Sequence, residues 1–170
     1  MLEARGILMN SFDRLEARAL DALRCGHCTP GRSVPPVYCI GPLVLPGNTG
    51  GSCERHGCLE WPDGQRDQSV LGHVLDGAMR EIARGIENSG HRFLWVVRNP
   101  HDHRSNSIEP DLEAFLPEGF AERTRERGFV TNSWVPRTEV LRHKAIGAFV
   151  THCGWNSALE GIVSSVPMIC

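Results

Sequence analysis

A chain of 170 residues, 41% hydrophobic and 22% charged, has the make-up of one soluble domain or of part of a larger one, and is long enough to bury a core. A formal net charge of -2 offers no chain-wide attraction to nucleic acid, and the basic run from Arg123 to Arg127 reads as a solvated helix face. No run approaches the ~18 apolar residues of a membrane span, and the opening MLEARGILMNSFDRLEARAL lacks the basic, apolar, small-residue order of a signal peptide. The expectation is a cytoplasmic protein with no membrane span and no nucleic-acid partner.

Taken in chain order, GILMN (Gly6 to Asn10) predicts a short strand, and a helix is expected from Asp13, with Glu16 at capping-box spacing and Leu15, Ala19 and Leu23 on one face. Pro30, Pro35, Pro36, Pro42 and Pro46, with several glycines, then surround the apolar run VYCIG and predict a mostly extended linker over residues 25–57. Beyond Trp61 and a PDG turn the pattern becomes regular. Met79, Ile82, Ala83 and Ile86 recur at helical spacing, Gly90 supplies a stop, and RFLWVV makes a buried strand. A polar loop carrying His101 and His103 leads to a helix around Phe120 to Arg127 and a strand GFVTN from Gly128 to Asn132. A brief helix near Glu139 to Leu141, the strand IGAFVT, a helix from Asn156 and a new strand at VPMIC complete the series. Strands and helices alternating at this interval predict an α/β fold: a parallel sheet with helices on both faces.

Seven cysteines at irregular spacings read as thiols kept reduced. Only Cys25 and Cys28 form a CxxC, and without a second such pair no metal is expected; a structural thiol or metal protein using Cys25, Cys28 and His residues is a third alternative.

Chemistry is concentrated in FVTHCGWNSALEG, Phe149 to Gly161, where a buried strand stops and continues at once as a helix. There is no GxGxxG, yet open parallel sheets bind ligands beyond the carboxyl ends of their strands. A helix start presents unpaired N–H groups and positive dipole, so Asn156 and Ser157 make a phosphate seat, with Gly154 allowing close approach and His152 adding a donor. Other readings stand beside this one. Ser157 and Glu160 have capping-box spacing, which needs no ligand. His152 and Cys153 suggest a base and a thiol nucleophile, but neighbours on a strand face opposite sides. Trp155 could be core, although a strand-end loop is a poor place to bury an indole.

From Trp134 onward, WVPRTEVLRHKAIGAFVTHCGWNSALEGIVSSVPMIC resembles the signature box of the plant family 1 UDP-dependent glycosyltransferases, whose pattern begins W-x-P-Q and contains T-H-C-G-W-N-S-x-L-E. Upstream, GILMNSF, CLEWPDGQ, HRFLWVVR and LPEGFAERTRERG resemble other segments of that family in the right order, so the likeness covers nearly the whole chain. It implies a partial C-terminal half of a two-domain GT-B protein with Rossmann-like halves. Residues 1–24 would be the tail of the N-terminal acceptor domain, 25–57 the interdomain linker and 58–170 an incomplete UDP-sugar donor-binding domain.

The resemblance also implies roles. Trp134 would stack on uracil, the Val135 backbone would bond its edge, and Glu160 would hold the ribose hydroxyls. His152, Asn156 and Ser157 would meet the diphosphate beside Gly154, and Trp155 the sugar. The implied reaction is inverting O-glycosyl transfer in plant secondary metabolism, with glucose the favoured sugar and a small phenolic or flavonoid-like acceptor. The UDP-sugar is donor substrate, and no cofactor or metal is called for. The catalytic His and its Asp belong to the N-terminal half of the resembling enzymes, so no catalytic residue is assigned here and the chain alone is expected to be inactive. The alternative is a non-catalytic nucleotide-sugar-binding module acting with another chain.

This chain departs from the family pattern at Arg137, Lys144 and Ser165, where Gln, Pro and Gly are usual. VLGHVLDGA, Val70 to Ala78, is several residues short of the family's apolar strand and Gly-Ser loop, so a poorly packed or missing central strand is expected. The acidic residue and Gln that close the box would fall after Cys170.

Overall fold

Short runs of β-branched, leucine and aromatic residues alternate with amphipathic stretches, and in the computed structural model each becomes a strand or a helix. The structure describes residues 4–44, 57–75, 79–97, 116–133 and 135–170, with nothing stated of the side chains at 73–75. The chain divides into two compact units, Met1–Val44 and Leu45–Cys170.

In the first unit, β1 (Ile7–Met9) pairs in parallel with β2 (Val37–Cys39), and α1 (Ala17–Arg24) connects them. The register runs from Ile7↔Val37 to Met9↔Cys39, and just beyond it the Asn10 amide accepts from the Leu43 N–H (2.6 Å) and donates to its carbonyl (3.3 Å). The VYC run inside the stretch read as linker is therefore a strand of this unit. The helix starts at Ala17, four residues later than the capping pattern suggested, with Glu16 at the N-cap making no side-chain cap bond. Asp13 instead pairs with Arg24 (2.8 Å), and the buried residue is Leu20, while Leu15 stays exposed. Packing of α1 on β2 sets the phase of so short a helix more strongly than its local cap signal.

The second unit follows the order α2 (Gly57–Asp63), β3 (Val70–Leu75), α3 (Met79–Ser89), β4 (Arg92–Val97), α4 (Phe120–Thr124), β5 (Gly128–Thr131), α5 (Arg137–Leu141), β6 (Ile146–Thr151), α6 (Trp155–Ser164) and β7 (Met168–Ile169). Its five strands are all parallel, in the order β5-β4-β3-β6-β7. The PDG expected as a turn begins inside α2, which buries Cys58 and Pro62. The polar loop with His101 and His103 lies outside the described residues.

The expectation of a missing central strand is overturned, while residues 76–78 of the same short segment lie outside the described residues. VLGHVL forms β3, the middle strand of the sheet, paired with β4 from Val70↔Arg92 to Leu75↔Val97 and with β6 from Val70↔Ile146 to Val74↔Thr151. Six residues suffice because each neighbour is itself six residues long, and ladder bonds on both edges satisfy the β3 backbone.

Alternation along β4 assigns the two faces. Leu94 and Val96 join Val70, Val135, Val140, Leu141, Ile146 and Phe149 in one core. Phe93, Trp95 and Val97 face the other way, onto Met79, Ala83 and Ile86 of α3, with Phe120 edge-on to Trp95. The basic run from Arg123 to Arg127, which begins in α4 and continues past its end, is more than a solvated face. Arg127 donates to the carbonyls of Ile86, Glu87 and His91 at 3.4, 2.7 and 2.8 Å, placing a cation at the carboxyl end of α3. Arg123 binds both oxygens of Glu87, which holds that carboxyl below its usual range and raises the guanidinium.

Ser165 caps α6 in the left-handed region at φ 57. A side chain there crowds the backbone, which glycine avoids. Ser165→Gly is expected to stabilise the chain by about 0.5 to 1 kcal/mol, after the extra unfolded-state entropy of glycine is set against the relieved strain. Urea unfolding of the two forms measures it, and an unchanged or lower midpoint for the variant counts against strain at this cap.

Candidate functional site

The strand order places a topological switch point between β3 and β6: from β3 the chain moves to β4 and β5 on one side, while β6 and β7 lie on the other. Crevices at such points, beyond the carboxyl ends of the strands, are where open α/β sheets bind ligands. β6 ends there at Thr151, whose buried hydroxyl has no hydrogen-bond partner among the described residues. Nothing in the sequence singled out Thr151 beyond a polar residue closing an apolar strand.

After Thr151 the backbone turns sharply. Cys153 takes a left-handed conformation (φ 55), and Gly154 becomes the N-cap of α6, one residue earlier than the expected start at Asn156 would have it. Because the strand has already ended, His152 and Cys153 do not follow strand alternation. The His152 imidazole folds against Gly154 so closely that a Cβ at Gly154 would strike the ring. Glycine is needed for that space, since its φ of -58 is open to any residue.

No side chain caps α6, and no carboxylate lies in its first turn. Its first intrahelical bond runs from the Ala158 N–H to the Gly154 carbonyl (2.9 Å), so the N–H groups of Trp155, Asn156 and Ser157 precede the ladder. Ser157 is buried, while His152 and Asn156 are exposed and Trp155 keeps 43% of its surface in solvent, so the indole is not core. An uncapped helix start with an imidazole against it is suited to an anion.

The capping box drawn from Ser157 and Glu160 does not form. Ser157 is the third helical residue, and Glu160 turns to Arg137 at the start of α5, its Oε1 3.2 Å from Nη2. The pair is largely buried, with side-chain exposures of 13% for Glu160 and 27% for Arg137. The other carboxylate oxygen is shielded and has no hydrogen-bond partner among the described residues, an arrangement that is costly without a donor. Sequence reading missed this pair because 23 positions separate its members and no local spacing links them.

The ion pair ties the start of α5 to the second turn of α6. Val135, two residues before Arg137, is buried in the core. Trp134 lies outside the described residues. Among the described residues no cluster of three or more His, Cys, Asp or Glu is placed to hold a metal, and Cys25 and Cys28 are free and exposed. The reading of all cysteines as separate thiols needs correction at one pair: Cys153 and Cys170, at the ends of adjacent strands, are joined in a disulfide with Cα atoms 5.6 Å apart.

Residues 68–170 match the family model for UDP-glucoronosyl and UDP-glucosyl transferases. The chain belongs to this family. It is 45% identical to an anthocyanidin 5,3-O-glucosyltransferase of a Rosa hybrid cultivar, over 99% of this chain and 37% of the relative. It is 48% identical to a baicalein 7-O-glucuronosyltransferase of Scutellaria baicalensis, over 96% of this chain and 39% of the relative. Phytolacca americana UGT2, solved with UDP-2fluoro-glucose and pterostilbene, superposes with a TM-score of 0.77 at 42% identity, covering 98% of this chain and 35% of that one. TcCGT1, solved with UDP, gives a TM-score of 0.80 at 35% identity over 99% of this chain and 38% of that one.

This UDP-glycosyltransferase chain thus spans between a third and two fifths of the length of these relatives, in keeping with a partial C-terminal half of a GT-B protein. Among its described residues no helix is long and apolar enough to cross a membrane.

Proposed function

We propose that this chain is the donor-binding part of an inverting UDP-sugar-dependent O-glycosyltransferase, with glucose as sugar and a phenolic or flavonoid-like hydroxyl as acceptor. The observation that carries the reading is the uncapped start of α6 at the switch point, with His152 folded against Gly154 and Glu160 linking this turn to the segment after Val135. The relatives' names support the reaction class and the acceptor class, and the UDP-2fluoro-glucose solved with Phytolacca americana UGT2 supports the donor.

On this reading Trp134 and the Val135 main chain take the uracil, Glu160 the ribose, His152, Gly154, Asn156 and Ser157 the diphosphate, and Trp155 the sugar. The acceptor oxygen attacks the anomeric carbon as a base removes its proton, and the bond to UDP breaks. Negative charge grows on the departing diphosphate, where the helix N–H groups and the imidazole stabilise it. The base comes from outside this chain. All the site residues assigned here lie on the donor side, which also fits the second reading, a non-catalytic nucleotide-sugar-binding module working with another chain.

Calorimetric titration with UDP and with uridine tests the diphosphate seat. His152→Ala is expected to weaken UDP binding about threefold to tenfold, the worth of one hydrogen bond to a charged oxygen, and to leave uridine binding unchanged. Equal weakening of both ligands would remove His152 from the phosphates, and no UDP binding by the unaltered chain would defeat the donor-site reading.

A further inference from the structure

We propose that Cys153 and Cys170 form a reversible thiol–disulfide exchange site that sets the geometry of the diphosphate seat. The second part of this inference rests on the donor-site reading above; the first does not.

The positions of the two cysteines carry the argument. Cys153 stands between His152, whose ring folds against Gly154, and Gly154 itself, the N-cap of α6. Cys170 follows Ile169, which pairs with Val150, so it comes level with Thr151 on the neighbouring strand. Their Cα separation of 5.6 Å lies in the usual span for disulfides. The bond therefore joins the carboxyl ends of β6 and β7 and encloses the whole of α6. Cys153 is half-buried and Cys170 exposed, so a small thiol can reach the bond, which is the usual condition for labile rather than structural disulfides. Cys58, by contrast, is buried, and burial pushes its thiol up, away from the reactive thiolate.

The exchange partner is a low-molecular-weight disulfide such as glutathione disulfide. The Cys170 thiolate attacks one of its sulfurs, forming a mixed disulfide and releasing one glutathione thiolate, which takes up the proton. The Cys153 thiolate then attacks the Cys170 sulfur and releases the second glutathione. Two protein thiols are oxidised and one glutathione disulfide is reduced to two thiols, so atoms and electrons balance.

Coupling to the nucleotide follows from the backbone. Cys153 holds a left-handed conformation that only Gly, Asn and Asp adopt readily, and the link to β7 keeps it there. When the bond opens, this residue is free to relax, and His152 and Gly154, its two chain neighbours, lose their fixed approach to the helix start. The oxidised chain is thus the form with a preorganised diphosphate seat.

The full 170-residue chain is equilibrated with glutathione disulfide or with dithiothreitol, alkylated and digested for mass spectrometry, and each form is titrated with UDP. A peptide pair linked through Cys153 and Cys170 is expected only in the oxidised form, together with a UDP dissociation constant about threefold to tenfold higher after reduction. Cys170→Ser, at an exposed position, is expected to show the reduced-state affinity under both conditions, and Cys170→Ala serves as its control. Absence of the linked pair at any glutathione ratio overturns the exchange site. Equal UDP affinity in the two states, with the linked pair present, overturns the coupling. A chain that binds no UDP in either state overturns the donor-site reading, while the linked pair still decides the exchange site.

Discussion

Incubated alone with UDP-glucose and a panel of phenols, the chain is expected to yield no glycoside above the buffer blank, and addition of an N-terminal half from a full-length relative is expected to raise product at least about a hundredfold. The size of the gain reflects two contributions supplied together. A positioned general base is worth about 10² to 10⁴ in rate, and holding the acceptor against the anomeric carbon adds to it. Neither has a source among the assigned residues. His152 lies against the start of α6; under the proposed function that is the leaving-group side, from which it cannot also deprotonate an oxygen attacking from the opposite face. His101 and His103 lie outside the described residues, and their polar loop reads as solvent-facing from sequence. Mass spectrometry of the products is the measurement. Turnover by the chain alone, abolished by a single His substitution, would overturn the assignment of this chain to the donor side.

Replacing Trp134 by Ala should weaken binding of both UDP and uridine about tenfold or more. Stacking a base on an indole stabilises it by about 1 to 3 kcal/mol, and under the proposed function the indole would stack on the uracil, which both ligands share. The pattern is distinct from that of His152→Ala, which spares uridine, so the pair of variants separates base recognition from phosphate recognition. Unchanged affinity for both ligands in the Trp134 variant would sink the stacking role. Val135, next in the chain, is anchored in the core with Val140 and Leu141, so the substitution has a fixed neighbour and leaves the start of α5 in place.

The elements were legible wherever a residue pattern is local. IGAFVT and RFLWVV are strands at the expected residues, because an unbroken apolar run of five, as in IGAFV and FLWVV, is best satisfied between two covered faces. Met79, Ala83 and Ile86 are the buried stripe of α3, and Gly90, at φ 68, takes the left-handed conformation after its end, both as spacing predicted. The polar cluster from His152 to Ser157 does lie at a strand-to-helix junction. Local reading failed where two signals competed over a few residues. Glu16 had the spacing to cap a helix from Asp13, but burial of Leu20 moved the start to Ala17. Ser157 and Glu160 had the spacing of a capping box, but the helix began earlier and a buried carboxylate took the cation available to it.

Composition, periodicity and the signature box were therefore enough for the α/β class and the family, and they single out the stretch in which the donor site is proposed. They could not rank the strands. VLGHVL looked too short to serve as a central strand, and it does so because β4 and β6 close on both its edges, a fact of pairing across 22 residues on one side and 76 on the other that no local window contains. That order creates the switch point at which β6 ends. The same holds for Arg137 with Glu160 and for Cys153 with Cys170. A helical or strand period records which face a side chain takes within its own element, whereas these partners meet only when separate elements pack, and the attraction of the ion pair, set against its desolvation cost, and the covalent sulfur link both need a geometry that exists in the folded chain alone.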